Sequence, residues 1–198
     1  MQFPDRLRLP FTFAPDLLAR DMRGLASGQW IRHFVKQNYE GDWSVIPLRG
    51  PADARHPVRM IYADPTCDAF ADTPVLQDCP YFREVMDTFR CPLRNVRLMR
   101  LAAGSVIKEH SDPDLSFEDG KVRLHVPVVT NDRVAFCLNA TRVDMEAGSA
   151  WYLRLSDPHT VTNGGDTDRV HLVIDADVNE WIAAVLEGAM QAQALAAN

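Results

Sequence analysis

The stretch His159-Thr-Val-Thr-Asn163-Gly-Gly-Asp166-Thr-Asp-Arg169-Val-His171-Leu-Val173-Ile-Asp175 decides the fold of this chain. A histidine opens an alternating β-branched run, Asn163 to Asp166 carry turn chemistry, and a second β-branched run leaves the turn. That reading predicts two strands joined as a hairpin, with Arg169 near its turn end and His159 at the far end. The texture extends outward. Runs of the same kind occupy Val96–Ala103, Val106–Glu109, Val122–Val129, Val134–Leu138 and Ser149–Leu153, separated by Gly104, Asp119-Gly120, Asn131-Asp132, Gly148 and Asp157-Pro158. Seven or eight short strands at this spacing predict a mainly β fold with flanking helices, built as a double-sheet jelly roll.

Before residue 95 the texture differs. Leu17, Leu18, Met22 and Leu25 recur at helical steps after Pro15, which predicts a helix that Gly28 interrupts. Trp30, Trp43 and Ile46 are the expected packing anchors. From Pro47 to Pro80 the chain is rich in Pro, Asp and Ala, and reads as irregular with a short strand near Met60 to Tyr62. Tyr81 to Phe89 has helical spacing, and Val178 to Leu195 reads as a helix laid over the sheet. The expected organisation is one domain over 1–198. Within it, 1–94 is a helical and irregular part packing on the barrel, 95–177 the β core and 178–198 the C-terminal helix.

Composition narrows the partners. The 198 residues include 46% hydrophobic and 24% charged residues, with a net charge of -6. That balance argues against nucleic acid as the main partner, because phosphate binding needs a Lys/Arg excess on some face. No stretch approaches a membrane span, and the first residues lack a signal-peptide core. Cys67, Cys79, Cys91 and Cys137 form no Cys-x-x-Cys pair, so reduced thiols in a cytoplasm are expected. Oligomeric state leaves no trace in the sequence.

The chemistry lies in the β half. His110-Ser-Asp112 places an imidazole and a carboxylate two residues apart, which on an extended strand project to one face. His159 adds a second imidazole. Two histidines and one carboxylate on one face of an ion form a facial triad, which leaves positions open for a co-substrate and dioxygen. Arg169 supplies a guanidinium about four strand residues from that ion, a span of ~13 Å. The gap suits 2-oxoglutarate, whose keto acid chelates iron and whose distal carboxylate meets a guanidinium fork. Each piece alone has a plainer reading, as a polar turn, a core histidine or a solvated strand-edge charge; the joint occurrence carries the argument. In Val122–Val129 the valines and Leu124 share one face, whereas Arg123, His125 and Pro127 share the other, which fits a polar barrel interior. His171 has the parity of Arg169 and is expected to point inward too. Trp151 and Tyr152 read as barrel packing.

The segments His110-Ser-Asp112, Arg123-Leu-His125-Val-Pro127, Gly148-Ser-Ala-Trp-Tyr-Leu153 and His159 through Asp175 resemble the aspartyl/asparaginyl β-hydroxylase family, which includes bacterial proline cis-4-hydroxylases. The resemblance covers about 95–177. It implies a double-stranded β-helix, the cupin-like jelly roll, and the use of Fe(II), 2-oxoglutarate and O2. It implies metal ligation by His110, Asp112 and His159, a grip on the distal carboxylate by Arg169, and His125 beside the co-substrate. The animal aspartyl hydroxylases lack the carboxylate ligand, which this chain supplies as Asp112. A serine that helps hold the co-substrate in those enzymes has Met99 as its counterpart here, so that contact is expected to be absent or replaced, with Arg97 and Arg100 as the candidates to replace it.

The expected reaction is hydroxylation of an unactivated C–H bond. Arg123, Arg97 and Arg100 are candidates to hold a substrate carboxylate, which favours a free amino acid or a similar small molecule. The alternatives are a side chain in a peptide or protein, a cupin-like metalloenzyme that does not use 2-oxoglutarate, and a non-catalytic sensor on the same fold.

Overall fold

The computed structural model describes residues 2–25, 27–63 and 66–196. In chain order its first strands are β1 (Arg6–Thr12), β2 (Ile31–Arg32), β3 (Tyr39–Glu40), β4 (Trp43–Pro51), β5 (Phe70–Asp72), β6 (Leu93–Leu101) and β7 (Val106–His110). They continue with β8 (Lys121–Val129), β9 (Val134–Leu138), β10 (Thr141–Arg142), β11 (Ser149–Leu153), β12 (His159–Asn163) and β13 (Arg169–Asp177). The helices are α1 (Pro15–Gly24), α2 (Pro57–Ile61), α3 (Pro80–Thr88) and α4 (Glu180–Ala196).

An eight-stranded antiparallel sheet runs β1-β11-β8-β13-β6-β4-β2, with β5 also paired to β4, and a five-stranded sheet runs β10-β9-β12-β7-β3. This is the expected mainly β, cupin-like jelly roll with flanking helices. Strand alternation divides the interior in two. Val122, Leu124, Val126 and Val128 of β8, with Val170, Leu172 and Ile174 of β13, pack in one apolar cluster with Leu18 of α1, Phe82 and Val85 of α3, and Ile182 and Leu186 of α4. The opposite parity faces the other sheet: Met99, Leu101 and Val173 cluster with Ile107, Phe136, Leu138 and Val161. The functional residues sit on that second face. Among the described residues no helix is long and apolar enough to cross a membrane.

Three expectations fail here. The runs flanking Gly164-Gly165 do not pair with each other. Strand β12 is hydrogen-bonded to β7 and β9, and β13 to β6 and β8, so the turn carries the chain from one sheet to the other. A tight turn between two strands looks the same from sequence whether the strands pair or part.

The segment before residue 95 is not merely helical and irregular. It supplies β4, nine residues in the large sheet and almost wholly buried, and the edge strand β1. Pro47 and Pro51 hide β4 from pattern reading, because proline removes a ladder donor. In the fold, β2 pairs at Ser44 and Val45 and β5 at Arg49 to Pro51, so neither short neighbour reaches Pro47. On the other side, the register with β6 shifts between Pro47 and Arg49.

The short strand expected near Met60 to Tyr62 is instead α2. Pro57 stands in its first turn and the His56 ring accepts from the Val58 amide at 3.3 Å, a cap that fixes a helix start.

Candidate active site

Strand pairing brings the two histidines together. His110 ends β7 and His159 begins β12, and they are direct cross-strand partners with ring centroids 4.2 Å apart. Asp112 follows in the turn after β7, its amide donating to the Leu155 carbonyl at 2.8 Å. One ligand atom from each of His110, Asp112 and His159 lies within 4.8 Å of the others.

Backbone carbonyls set the rings. His110 Nδ1 donates to the Lys108 carbonyl at 2.8 Å, and His159 Nδ1 to the Asp157 carbonyl at 3.0 Å. In the neutral ring this tautomer turns the Nε2 lone pair towards the site, as metal ligation needs. Burial pushes His159 down to about 4. Burial pushes the Asp112 carboxyl up, but the adjacent Arg123 guanidinium, together with the two histidines, holds it below the usual carboxylate range. His159 is thus a neutral imidazole and Asp112 a carboxylate, the forms a metal ion takes.

These side chains open on a cavity of about 340 Å³, which His125, Arg169, Arg97, Arg123 and Met99 also line. That volume suits a small ligand. Arg169 is buried at 3% exposure on the inner face of β13. Its Nη2 donates to His171 Nδ1 at 2.8 Å, and its Nε has no partner among the described residues. His125 Nδ1 lies 3.2 Å from the same His171 nitrogen, which leaves His125 Nε2 buried and unpartnered. Phe136 touches both halves of the site. It stacks on His159 with centroids 6.1 Å apart, and the Arg169 guanidinium lies 6.0 Å from its ring. With no carboxylate beside it, Arg169 is pushed down to about 9 by burial. A buried guanidinium with no carboxylate partner among the described residues fits an anionic co-substrate bound next to the metal position.

The three candidate substrate arginines separate. Arg97 and Arg123 line the cavity, each already bonded to Asp175. Arg100 does not reach it. Three residues from Arg97, it projects from the other face of β6, where its Nε donates to Ser44 Oγ at 3.0 Å and its guanidinium lies over Trp30. It can hold neither substrate nor co-substrate, so Arg100 is withdrawn from both expected roles.

Several lining residues carried no functional signal. His33 stacks on Trp43 at 3.6 Å between ring centroids and on Phe34 at 4.8 Å, and Phe34 meets Tyr62 edge-on at 5.8 Å. These come from the N-terminal segment, where no local motif marks them. Asp175 was detectable in principle, since it shares the parity of Arg169 and His171 on a strand whose inner face is polar.

Comparison with known proteins agrees with this architecture. Residues 18–178 match the model of the family described as aspartyl/asparaginyl β-hydroxylase. The L-proline cis-4-hydroxylase of Rhizobium meliloti (strain 1021) is 30% identical over 153 residues, covering 76% of this chain and 53% of that protein. The chain thus spans about half the length of this curated relative. A Pseudomonas putida prolyl-4-hydroxylase structure superposes with a TM-score of 0.54 at 12% identity, covering 88% of this chain and 93% of the other. An oxidoreductase of the 2OG-Fe(II) oxygenase family from Burkholderia pseudomallei gives 0.53 at 17%, covering 88% and 85%. At such identities these two structures speak for the fold alone.

Proposed function

The chain belongs to the aspartyl/asparaginyl β-hydroxylase family, and from that premise we propose that it is an Fe(II)- and 2-oxoglutarate-dependent dioxygenase hydroxylating a free amino acid or a similar carboxylate-bearing small molecule. One observation carries the reading: a triad of side chains that could hold a metal ion and a buried guanidinium with an unspent donor line the same cavity.

His110, Asp112 and His159 would hold the iron. Arg169 would meet the distal carboxylate of 2-oxoglutarate, with His125 beside it. When bound, iron and 2-oxoglutarate supply the O2-dependent oxidation that turns C–H into C–OH. The chain's own task is to place the target carbon and keep water out. Met99, Ile107, Phe136 and Val161 give the inner cavity apolar walls. Towards the mouth, His33, Phe34 and Tyr62 form an aromatic side, and Lys121 adds positive charge. An apolar wall beside a cation suits an aliphatic amino acid held by its carboxylate. The relative's printed activity makes L-proline the first compound to try.

Anaerobic titration of the Fe(II) protein with 2-oxoglutarate should produce a metal-to-keto-acid charge-transfer band. Aerobic incubation with L-proline and other amino acids should release succinate in step with a product heavier by one oxygen. His110→Ala, Asp112→Ala and His159→Ala should each abolish both signals. Failure of the wild-type protein to bind 2-oxoglutarate would remove the proposal.

A further inference from the structure

The ligand set leaves Asp175 without a role, although it is the hub of a buried ionic chain. Its carboxylate, at 4% exposure, points inward from β13. Oδ1 accepts from Arg123 Nε at 2.6 Å and Oδ2 from Arg123 Nη2 at 3.0 Å, a two-point fork. Arg97 Nη2 donates to the same Oδ2, while Arg97 Nη1 is tied to the Ile61 carbonyl at 2.8 Å. With Nε and Nη2 fixed, a planar guanidinium has one direction left for Nη1. That atom donates to Asp112 Oδ2. The other oxygen, Asp112 Oδ1, lies 3.9 Å from His110 Nε2, on the histidine side.

We infer that Asp175 and Arg123 are positioning residues which hold Asp112 to metal ligation through a single oxygen, Oδ1. This rests on the proposed metal role of Asp112 and assigns Arg123 to the metal side of the site. The backbone at Asp112 is anchored through Leu155, so rotation of the side chain is the remaining freedom, and Arg123 removes it. The consequence is chemical. A facial triad would leave three positions open, as many as a chelating keto acid and dioxygen together would need. A carboxylate swinging to bind through both oxygens would occupy one of them.

Metal binding without co-substrate tests this apart from turnover. Wild-type protein is expected to bind cobalt(II) anaerobically, with a d–d spectrum that His110→Ala abolishes. Asp175→Asn and Arg123→Lys should each change that spectrum, because a freed carboxylate would add its second oxygen to the metal, while circular dichroism stays native. Lysine keeps the buried positive charge, so Arg123→Lys retains the fold if the asparagine variant does not. A wild-type cobalt(II) spectrum in folded Arg123→Lys would overturn the inference and leave the metal site standing. No cobalt(II) binding by the wild type would instead remove the functional reading. A measurement on the wild type needs no variant: side-chain nitrogen NMR with zinc(II) should show hindered rotation of the Arg123 guanidinium before and after metal addition. Free rotation would also overturn the inference.

Discussion

Replacing Arg169 by methionine should make the metal-free protein more stable and, at the same time, a poorer binder of 2-oxoglutarate. The guanidinium is buried, lacks a carboxylate partner among the described residues, and has a donor without an acceptor. Burial lowers its pKa from 12.5 to about 9. At ~1.4 kcal/mol per pH unit this gap corresponds to on the order of 5 kcal/mol of unfavourable burial. If less than half of that is recovered, because methionine leaves His171 without one donor, a gain of roughly 2 kcal/mol should raise Tm by ~4–8 °C. The sign follows from proton uptake. Above pH about 9 the unfolded chain keeps a proton that the folded one sheds, so wild-type stability recovers towards 12.5 and the Tm gap between the proteins narrows. The co-substrate cost has the opposite origin. Loss of a hydrogen-bonded fork to a buried carboxylate is worth ~1.5–3 kcal/mol, so Kd for 2-oxoglutarate should rise roughly 10- to 150-fold. Differential scanning calorimetry of the apo proteins and anaerobic titration of the Fe(II) forms read the two effects. A methionine variant that binds 2-oxoglutarate like the wild type, or melts lower in the apo state, would refute the reasoning.

Acid should destabilise the apo protein well above the carboxylate range. Burial lowers His33 to about 3 and His159 to about 4, and holds His125 and His171 well below 6.5. The unfolded chain therefore binds more protons between about 4 and 6.5, and stability falls as pH drops through that window; a flat Tm from pH 7 to 5 in chelator would count against it. Phe34 and Tyr62 are exposed at 37% and 44% at the cavity mouth, where a substrate would cover them. Phe34→Ala and Tyr62→Ala should raise KM for the amino acid by roughly 3- to 30-fold, as expected for lost aromatic packing, and leave 2-oxoglutarate affinity unchanged. Gly148 has φ +81, and a Cβ there would lie 2.2 Å from the Phe13 carbonyl oxygen. Gly148→Ala should cost more than ~2 kcal/mol, read as a lower denaturation midpoint.

What the sequence determined by itself is the face each side chain takes. Period-two alternation and turn residues located β9, β11 and β12 to the residue, and placed Arg123, His125, Arg169 and His171 on the polar side of their strands. The spacing of His110 and Asp112, with His159 at a strand start, was enough to nominate a triad that the fold brings together. The same parity rule, applied to β6, would have separated Arg97 from Arg100.

Only the tertiary structure decided which strands are neighbours. It sent β12 and β13 to different sheets, accommodated Pro47 within a buried strand between two short partners, and gathered Asp175, Arg123 and Asp112 into one ionic chain. The reason is physical. Side-chain direction is fixed by local backbone geometry over two residues. Pairing is fixed by the burial of whole faces against partners far along the chain, and no local pattern records which partner that will be.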